Sequence, residues 1–476
     1  MGLYLQISLK AKRYSRMMPF CRMAITSVNP ATGETIKTYD EMTPAQAAGV
    51  VAEAHDAWRT WRKTPFSERA SLMKKTAAIL RDRKEGLARL MAAEMGKPLK
   101  QGIAEAEKSA VGCDYYAGTA EAHLAPQMIE TEASKSYVAC EPMGVILAVM
   151  PWNFPLWQVY RFAAPALMAG NVGVLKHASN VPGCALVIEE MFSQAGFPKG
   201  TFRTLLVGSA QVKAVIEHPL VRAVTLTGST PAGKAVAAQA GAVVKKTVLE
   251  LGGSDPYIVL EDADLDHAVQ TCVTSRLING GQSCINAKRF IVVEPVLAAF
   301  TERFVALMKT KKVGDPLADG TDVGPQARFD LRDDLHRQVL ASVAKGAKVL
   351  LGGEIPQGKG AYYPPTVLSD VKPGMPAYDE ELFGPVAAII KAKDEQDAVR
   401  IANDTIFGLG AAVFTKDVAR GERVARDLEA GCTFVNALVA SDPRLPFGGI
   451  KESGYGRELG SFGIREFVNL KTVYVK

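Results

Sequence analysis

"GVILAVMPWNFPLWQ", residues 144–158, runs from an apolar stretch through Pro151 and Pro155 into a segment carrying Trp152 and Asn153. An apolar run this short, bounded by glycine and proline, reads as a buried β-strand. "GVLKHA" (173–178), "FRTLLV" (202–207) and "RAVTLTG" (222–228) repeat the design, with helical stretches such as "VPGCALVIEEMFSQAG" (181–196) between them. Alternation of that kind is the βαβ rhythm of a parallel sheet covered on both faces.

Further out, the rhythm changes twice. Before the first strand, "TPAQAAGVVAEAHDAWRTWRK" (43–63), "SERASLMKKTAAILRDRKEGLARLMAAEMG" (67–96) and "PLKQGIAEAEKSAVGCDYYAGTA" (98–120) repeat apolar residues at three- and four-residue steps, as helices do. From residue 255 the alternation restarts with "RFIVVE" (289–294), "AAIIKA" (387–392), "AAVFTK" (411–416) and "CTFVN" (432–436), so a second α/β domain is expected. "MIETEASKSYVACEPMG" (128–144) and "EFVNLKTVYVK" (466–476) alternate like strands but fit neither domain, and are expected to pair with each other or with another subunit. The expected division is an extension at 1–22, one domain from 23–125 with 143–252, a second over 253–452, and an arm from 126–142 with 459–476.

A chain of 476 residues with 48% hydrophobic content can bury cores for two or three domains. Its formal charge of +6 is concentrated at one end: Lys10, Lys12, Arg13, Arg16 and Arg22 leave +1 for the remainder. A nearly neutral body without a basic stripe argues against a nucleic-acid surface. Residues 1–22 are too broken by charge for a secretory signal, and read as an organelle presequence or an upstream start. No apolar run reaches the ~18 residues of a membrane span. Seven cysteines at irregular spacing, without a Cys-x-x-Cys pair or a zinc-like His pattern, imply reduced thiols, no metal site and a cytoplasmic protein.

Chemistry-bearing residues gather where strands end. "TLTGSTPAG" (225–233) places Gly228 and Ser229 between a strand and a helix, where free backbone N–H groups can face a phosphate or merely form a tight turn. Neither Gly-x-Gly-x-x-Gly nor Walker A is present. "VLKHAS" sets Lys176 and Ser179 at the carboxyl end of another strand, the ligand side of such folds. "LELGG" ends a strand at Glu250, "EELFGP" carries Glu381 and Phe383, and "PFGGIKESGYGRELG" carries Phe447. "NGGQSCINAKR" (279–289) holds Cys284 on a glycine-rich turn, a poor neighbourhood for an inert core thiol.

Taken in this order and spacing, the motifs resemble the aldehyde dehydrogenase superfamily from about Met23 to Lys476. The resemblance implies a Rossmann-type cofactor domain, an α/β catalytic domain and a small β oligomerisation arm in a homodimer or homotetramer. It implies Cys284 as nucleophile, Asn153 with the Cys284 N–H as oxyanion hole, and Glu250 as the base for thioester hydrolysis. It assigns Lys176 and Glu381 to ribose hydroxyls, Phe383 to the nicotinamide, and Trp152, Gly228 and Ser229 to the adenosine and pyrophosphate path. Where NAD-preferring members often carry a glutamate, this chain has Ser179, which favours NADP, with NAD possible.

Within the superfamily, "MPWNFPLWQVYR", "LGGSDPYIVLEDADL" and "ARFDLRDDLH" look most like bacterial succinate-semialdehyde dehydrogenases. Arg161 and Ser441 then match residues that receive the substrate carboxylate, although Arg161 also suits a structural ion pair. Ile278 stands where several members keep an arginine, and Asn286 where some carry a redox-switch cysteine. Dehydrogenases of glutarate semialdehyde or of aliphatic or aromatic aldehydes would share the catalytic residues, and a non-catalytic relative would share the fold.

Overall fold

The computed structural model describes residues 24–476, so the expected extension lies outside the described residues. The first sheet has six strands, ordered Gly454–Tyr455, Lys246–Glu250, Val221–Thr227, Val145–Met150, Val172–His177, Phe202–Thr204. All neighbours are parallel except the first pair, Gly454–Tyr455 with Lys246–Glu250. Every residue of Val172–His177 is buried, as in a sheet layered on both faces. The chain leaves Val145–Met150 toward one edge and later returns to Val221–Thr227 on its other side. The crevice between those carboxyl ends is a topological switch point, the place where such sheets admit ligands.

The second sheet has seven strands, ordered Lys348–Leu351, Thr366–Ser369, Val386–Ala392, Ala287–Val293, Asp255–Val259, Gly410–Phe414, Cys432–Val435. Its central strands are wholly buried, and one apolar cluster lies on each face. The two orphan segments pair with each other: Val468–Val475 runs antiparallel to Lys135–Pro142, with Gln127–Met128 beyond it.

The structure divides one helical stretch and adds a strand pair. Residues 67–96 form two helices, Phe66–Asp82 and Lys84–Met95, broken at Arg83 and stopped at Gly96 in the left-handed region (φ 76°). A side chain at Gly96 would also meet Pro325 at 2.6 Å, so the stop is built into the packing. An antiparallel pair, Ala24–Val28 with Thr35–Asp40, had no distinctive apolar pattern because most of the second strand is exposed.

Candidate active site

Between the helix Leu265–Leu277 and the strand Ala287–Val293 the chain turns through left-handed conformations at Asn279 (φ 56°), Gly280 (62°) and Gly281 (79°). A Cβ on Gly281 would lie 2.2 Å from the Gly384 backbone, so only glycine fits. Buried side chains clamp this turn: Arg276 Nη2 donates to Gly281 O at 2.6 Å, Asn286 Nδ2 to Ile278 O at 2.9 Å, and Lys288 Nζ to Cys284 O at 2.6 Å. Asn286 therefore braces the loop. Cys284 emerges where two cavities meet, each counting it among its lining residues.

The first cavity, about 250 Å³, opens at the switch point of the six-stranded sheet. Trp152, Gly228, Ser229, Glu381 and Phe383 line it; Lys176 and Ser179 do not. Lys176 is buried at the end of its strand and Ser179 is exposed beyond it. Burial lowers the Lys176 pKa and the charge of Glu41 opposes that shift. Ser229 is the N-cap of the helix Thr230–Ala242 but makes no side-chain capping bond, so hydroxyl and helix end are both suited to an anion. Glu381 accepts from Gly253 N at 3.1 Å and pairs with Lys288 at 3.2 Å, while Phe383 meets Trp152 edge-on at 5.8 Å. A Cβ on Gly252 would come within 2.5 Å of Glu381 Oε2, so the paired glycines make room for that carboxylate. A narrow apolar slot with a carboxylate, a helix N-terminus and two aromatic rings fits a nicotinamide dinucleotide.

The second cavity, about 310 Å³, shares the thiol and Gln158 with the first, and Arg161, Ser441 and Phe447 line it. Arg161 both faces the cavity and pairs through Nε with Glu458; the two side chains are 3% and 5% exposed. Its Nη2 donates to Thr227 Oγ1 at 3.3 Å, and its guanidinium lies 4.8 Å from the Phe447 ring centroid. Phe447 and Glu458 exchange backbone hydrogen bonds of 2.7 Å, so one wall of this cavity is a locked unit.

Asn153 is buried beside the turn, its Nδ2 donating to Gln282 O at 3.1 Å. Its own carbonyl accepts from Lys97 Nζ at 2.8 Å and from Asn279 Nδ2 at 2.7 Å, fixing the loop after the strand Val145–Met150. Burial drives the Cys284 thiol up to about 12, partly opposed by the charges of Lys288 and Arg161. Glu250 is 2% exposed, neither carboxyl oxygen has a hydrogen-bond partner, and it lines neither cavity. Burial raises its pKa well above the carboxylate range, against the pull of Arg161. Gly448 gives it space, since a Cβ there would stand 2.7 Å from Glu250 Oε1.

Several site residues escaped the sequence reading. Gln158 lines both cavities and its Oε1 is buried without a partner. It lies in the aromatic stretch over 152–158, where closeness in sequence to Asn153 is the available signal. Glu105, buried, pairs with Lys97 and accepts from Leu156 N at 2.8 Å and Trp157 N at 3.0 Å, capping the helix Trp157–Met168. Lys108 reaches the second cavity from the helix Leu99–His123. Nothing in a helical charge pattern distinguishes these from a solvated face.

A doubly wound sheet whose switch-point cavity ends at a thiol is the architecture of a nucleotide-dependent oxidoreductase. The chain belongs to the aldehyde dehydrogenase family, whose model matches residues 21–473. It is 51% identical to the succinate-semialdehyde dehydrogenase (NADP+) of Mycolicibacterium paratuberculosis, over 95% of this chain and 97% of that protein. A Mycobacterium tuberculosis enzyme of the same name is likewise 51% identical, over 95% of this chain and all of the relative. The crystal structure of succinic semialdehyde dehydrogenase from Streptococcus pyogenes in complex with NADP+ superposes with a TM-score of 0.93 at 38% identity, covering 95% of this chain and 100% of that one.

Proposed function

We propose that this protein oxidises succinate semialdehyde to succinate with NADP+, using Cys284 as nucleophile. The observation that carries the reading is the meeting of two cavities at one thiol: one suits a dinucleotide, and the other has cationic side chains at hand for a carboxylate. Relatives at half identity carry that activity in their names.

In this reading the Cys284 thiol gives up its proton to water, the thiolate sulfur attacks the aldehyde carbon, and the carbonyl π pair moves onto oxygen as negative charge. The Asn153 amide and the Cys284 backbone N–H donate to that oxygen, where stabilisation lowers the barrier most. NADP+, when bound against Trp152, Ser229, Glu381 and Phe383, supplies the hydride acceptor. The remaining thioester is hydrolysed by water whose proton passes to the Glu250 carboxylate. Because Glu250 is buried and lines neither cavity, this role requires its side chain to swing toward Cys284. Lys176 and Ser179 extend the dinucleotide site beyond the cavity, and Ser179 leaves room and a hydroxyl for a 2′-phosphate.

The proposal includes the domain roles: 23–125 with 143–252 for cofactor, 253–452 for catalysis, and 126–142 with 459–476 as the arm of a cytoplasmic homo-oligomer. Exposed Met128, Ile129, Leu470, Tyr474 and Val475 on that arm support association through it. The six described cysteines are free thiols, as a reducing compartment keeps them. The test is a screen of the purified enzyme with succinate semialdehyde, glutarate semialdehyde, butyraldehyde and benzaldehyde against both nicotinamide cofactors, with Cys284→Ala as the thiol-free control. Highest kcat/KM for succinate semialdehyde with NADP+ is expected; equal efficiency with butyraldehyde would defeat the substrate assignment.

A further inference from the structure

Cys284 and Gln158 each line both cavities, so a carboxamide stands with the thiol where the two spaces meet. Gln158 follows Trp157 at the start of the helix Trp157–Met168, its backbone N–H donating to Phe154 O at 3.1 Å. The side chain is 3% exposed, and among the described residues its Oε1 has no hydrogen-bond partner. A buried carbonyl oxygen without a donor destabilises the fold. Its place beside the reacting sulfur points to a group that enters during the reaction.

What this oxygen needs is a donor. Aldehyde, thioester and carboxylate present only acceptor oxygens at the reacting carbon, whereas water brings two O–H groups. The nicotinamide carboxamide is the other donor at hand, but the Trp152 and Phe383 rings suited to it line the first cavity alone. The wall around Gln158 also leads to the base. Arg161, three residues on and so on the same helix face, donates from Nη2 to Thr227 Oγ1 at 3.3 Å. Thr227 lines the first cavity together with Gln158, and its register partner on the next strand is Glu250. The orphaned oxygen and the carboxylate proposed as base therefore belong to one contiguous region of wall.

We propose that Gln158 holds the water that hydrolyses the thioester, its Oε1 accepting one water O–H so that an oxygen lone pair faces the acyl carbon. The inference rests on the thioester mechanism proposed above and assigns a residue to its second half. In that step the water oxygen bonds to the acyl carbon while its other proton passes to the Glu250 carboxylate. The C–S bond then breaks, its electron pair returns to Cys284 as thiolate, and the carboxylic acid leaves and ionises in solvent.

The test follows wild type, Gln158→Met and Gln158→Glu by rapid mixing with NADP+ and, separately, succinate semialdehyde or butyraldehyde, with mass spectrometry of acid-quenched enzyme for the acyl adduct on Cys284. Gln158→Met removes the acceptor at similar volume. First-turnover hydride transfer should stay within about threefold of wild type, while steady-state turnover falls about tenfold and the adduct accumulates, with either aldehyde. Hydroxylamine, a nucleophile that needs no positioned water, should restore turnover and release the hydroxamate. Gln158→Glu keeps an acceptor oxygen in the same shape, so its adduct should stay near the wild-type level; accumulation as in Gln158→Met would overturn the assignment. An unchanged steady state in Gln158→Met would overturn it too. Slower hydride transfer without added adduct would place Gln158 on the aldehyde instead, and a Kd for NADP+ raised about tenfold with hydrolysis intact would place it on the nicotinamide. Full turnover in Cys284→Ala would remove the thioester mechanism, and this inference with it.

Discussion

At the residue scale, the proposed chemistry rests on two buried groups, Cys284 and Glu250, each pushed by burial toward its neutral form. A thiol raised to about 12 by burial is protonated at neutral pH, and its thiolate fraction climbs tenfold per pH unit below that value. Alkylation of the free enzyme by iodoacetamide should therefore rise between pH 7 and 10 without a plateau, measured as loss of activity. A plateau near pH 8 would mean that the thiol is already activated without ligands. Burial raises the Glu250 pKa above the ordinary carboxylate range, so with Glu250 as base the hydrolytic step should quicken as pH rises beyond that range. Glu250→Gln should keep the first-turnover burst of NADPH and slow the steady state by at least about tenfold; unchanged steady-state turnover would exclude Glu250 as base. Ser179→Glu places a carboxylate beside the proposed 2′-phosphate. At an exposed position repulsion of about 1–2 kcal/mol is expected, lowering the NADP-over-NAD ratio of kcat/KM roughly five- to thirtyfold. An unaltered ratio would separate Ser179 from the nucleotide.

At the element scale, the turn over Asn279, Gly280 and Gly281 is the part least tolerant of change. Gly281→Ala asks an alanine to adopt φ 79° and to overlap the Gly384 backbone. The left-handed conformation alone costs about 1–2 kcal/mol, and the overlap adds a comparable strain. The urea midpoint should fall accordingly, and activity should fall further because Cys284 lies three residues on. Wild-type stability and rate in this variant would show the turn to be more pliable than its packing indicates. Much of this element was legible in the sequence, since paired glycines before a cysteine announce a sharp turn. Its braces were not: Arg276, Asn286 and Lys288 act on backbone carbonyls of their own loop, a use that residue type and spacing do not disclose.

On the scale of the whole molecule, the three-stranded arm stands apart from both larger sheets and exposes Leu470 at 61% and Tyr474 at 55%. Apolar side chains on an exposed strand are costly in a free subunit and are covered on association. The double substitution Leu470→Asp with Tyr474→Asp should lower the mass seen by light scattering to a smaller species with its circular dichroism retained. An unchanged mass would defeat association through this arm.

Short-range signals sufficed for the strands, the glycine turns, the thiol at 284, the acid at 250 and the likeness to a family, because each is written in neighbouring residues. Buried parallel strands advertise themselves as apolar runs, and a cysteine on a glycine-rich turn stands out from core cysteines such as Cys184 and Cys272. Only the tertiary structure decided which charges are balanced and which face a cavity. Arg161 and Glu458 are 297 residues apart in the chain, and Lys108 and Ser441 are separated by 333. Pairing energies depend on distance and local dielectric through space, so no reading along the chain can tell a buried ion pair from a solvated cation.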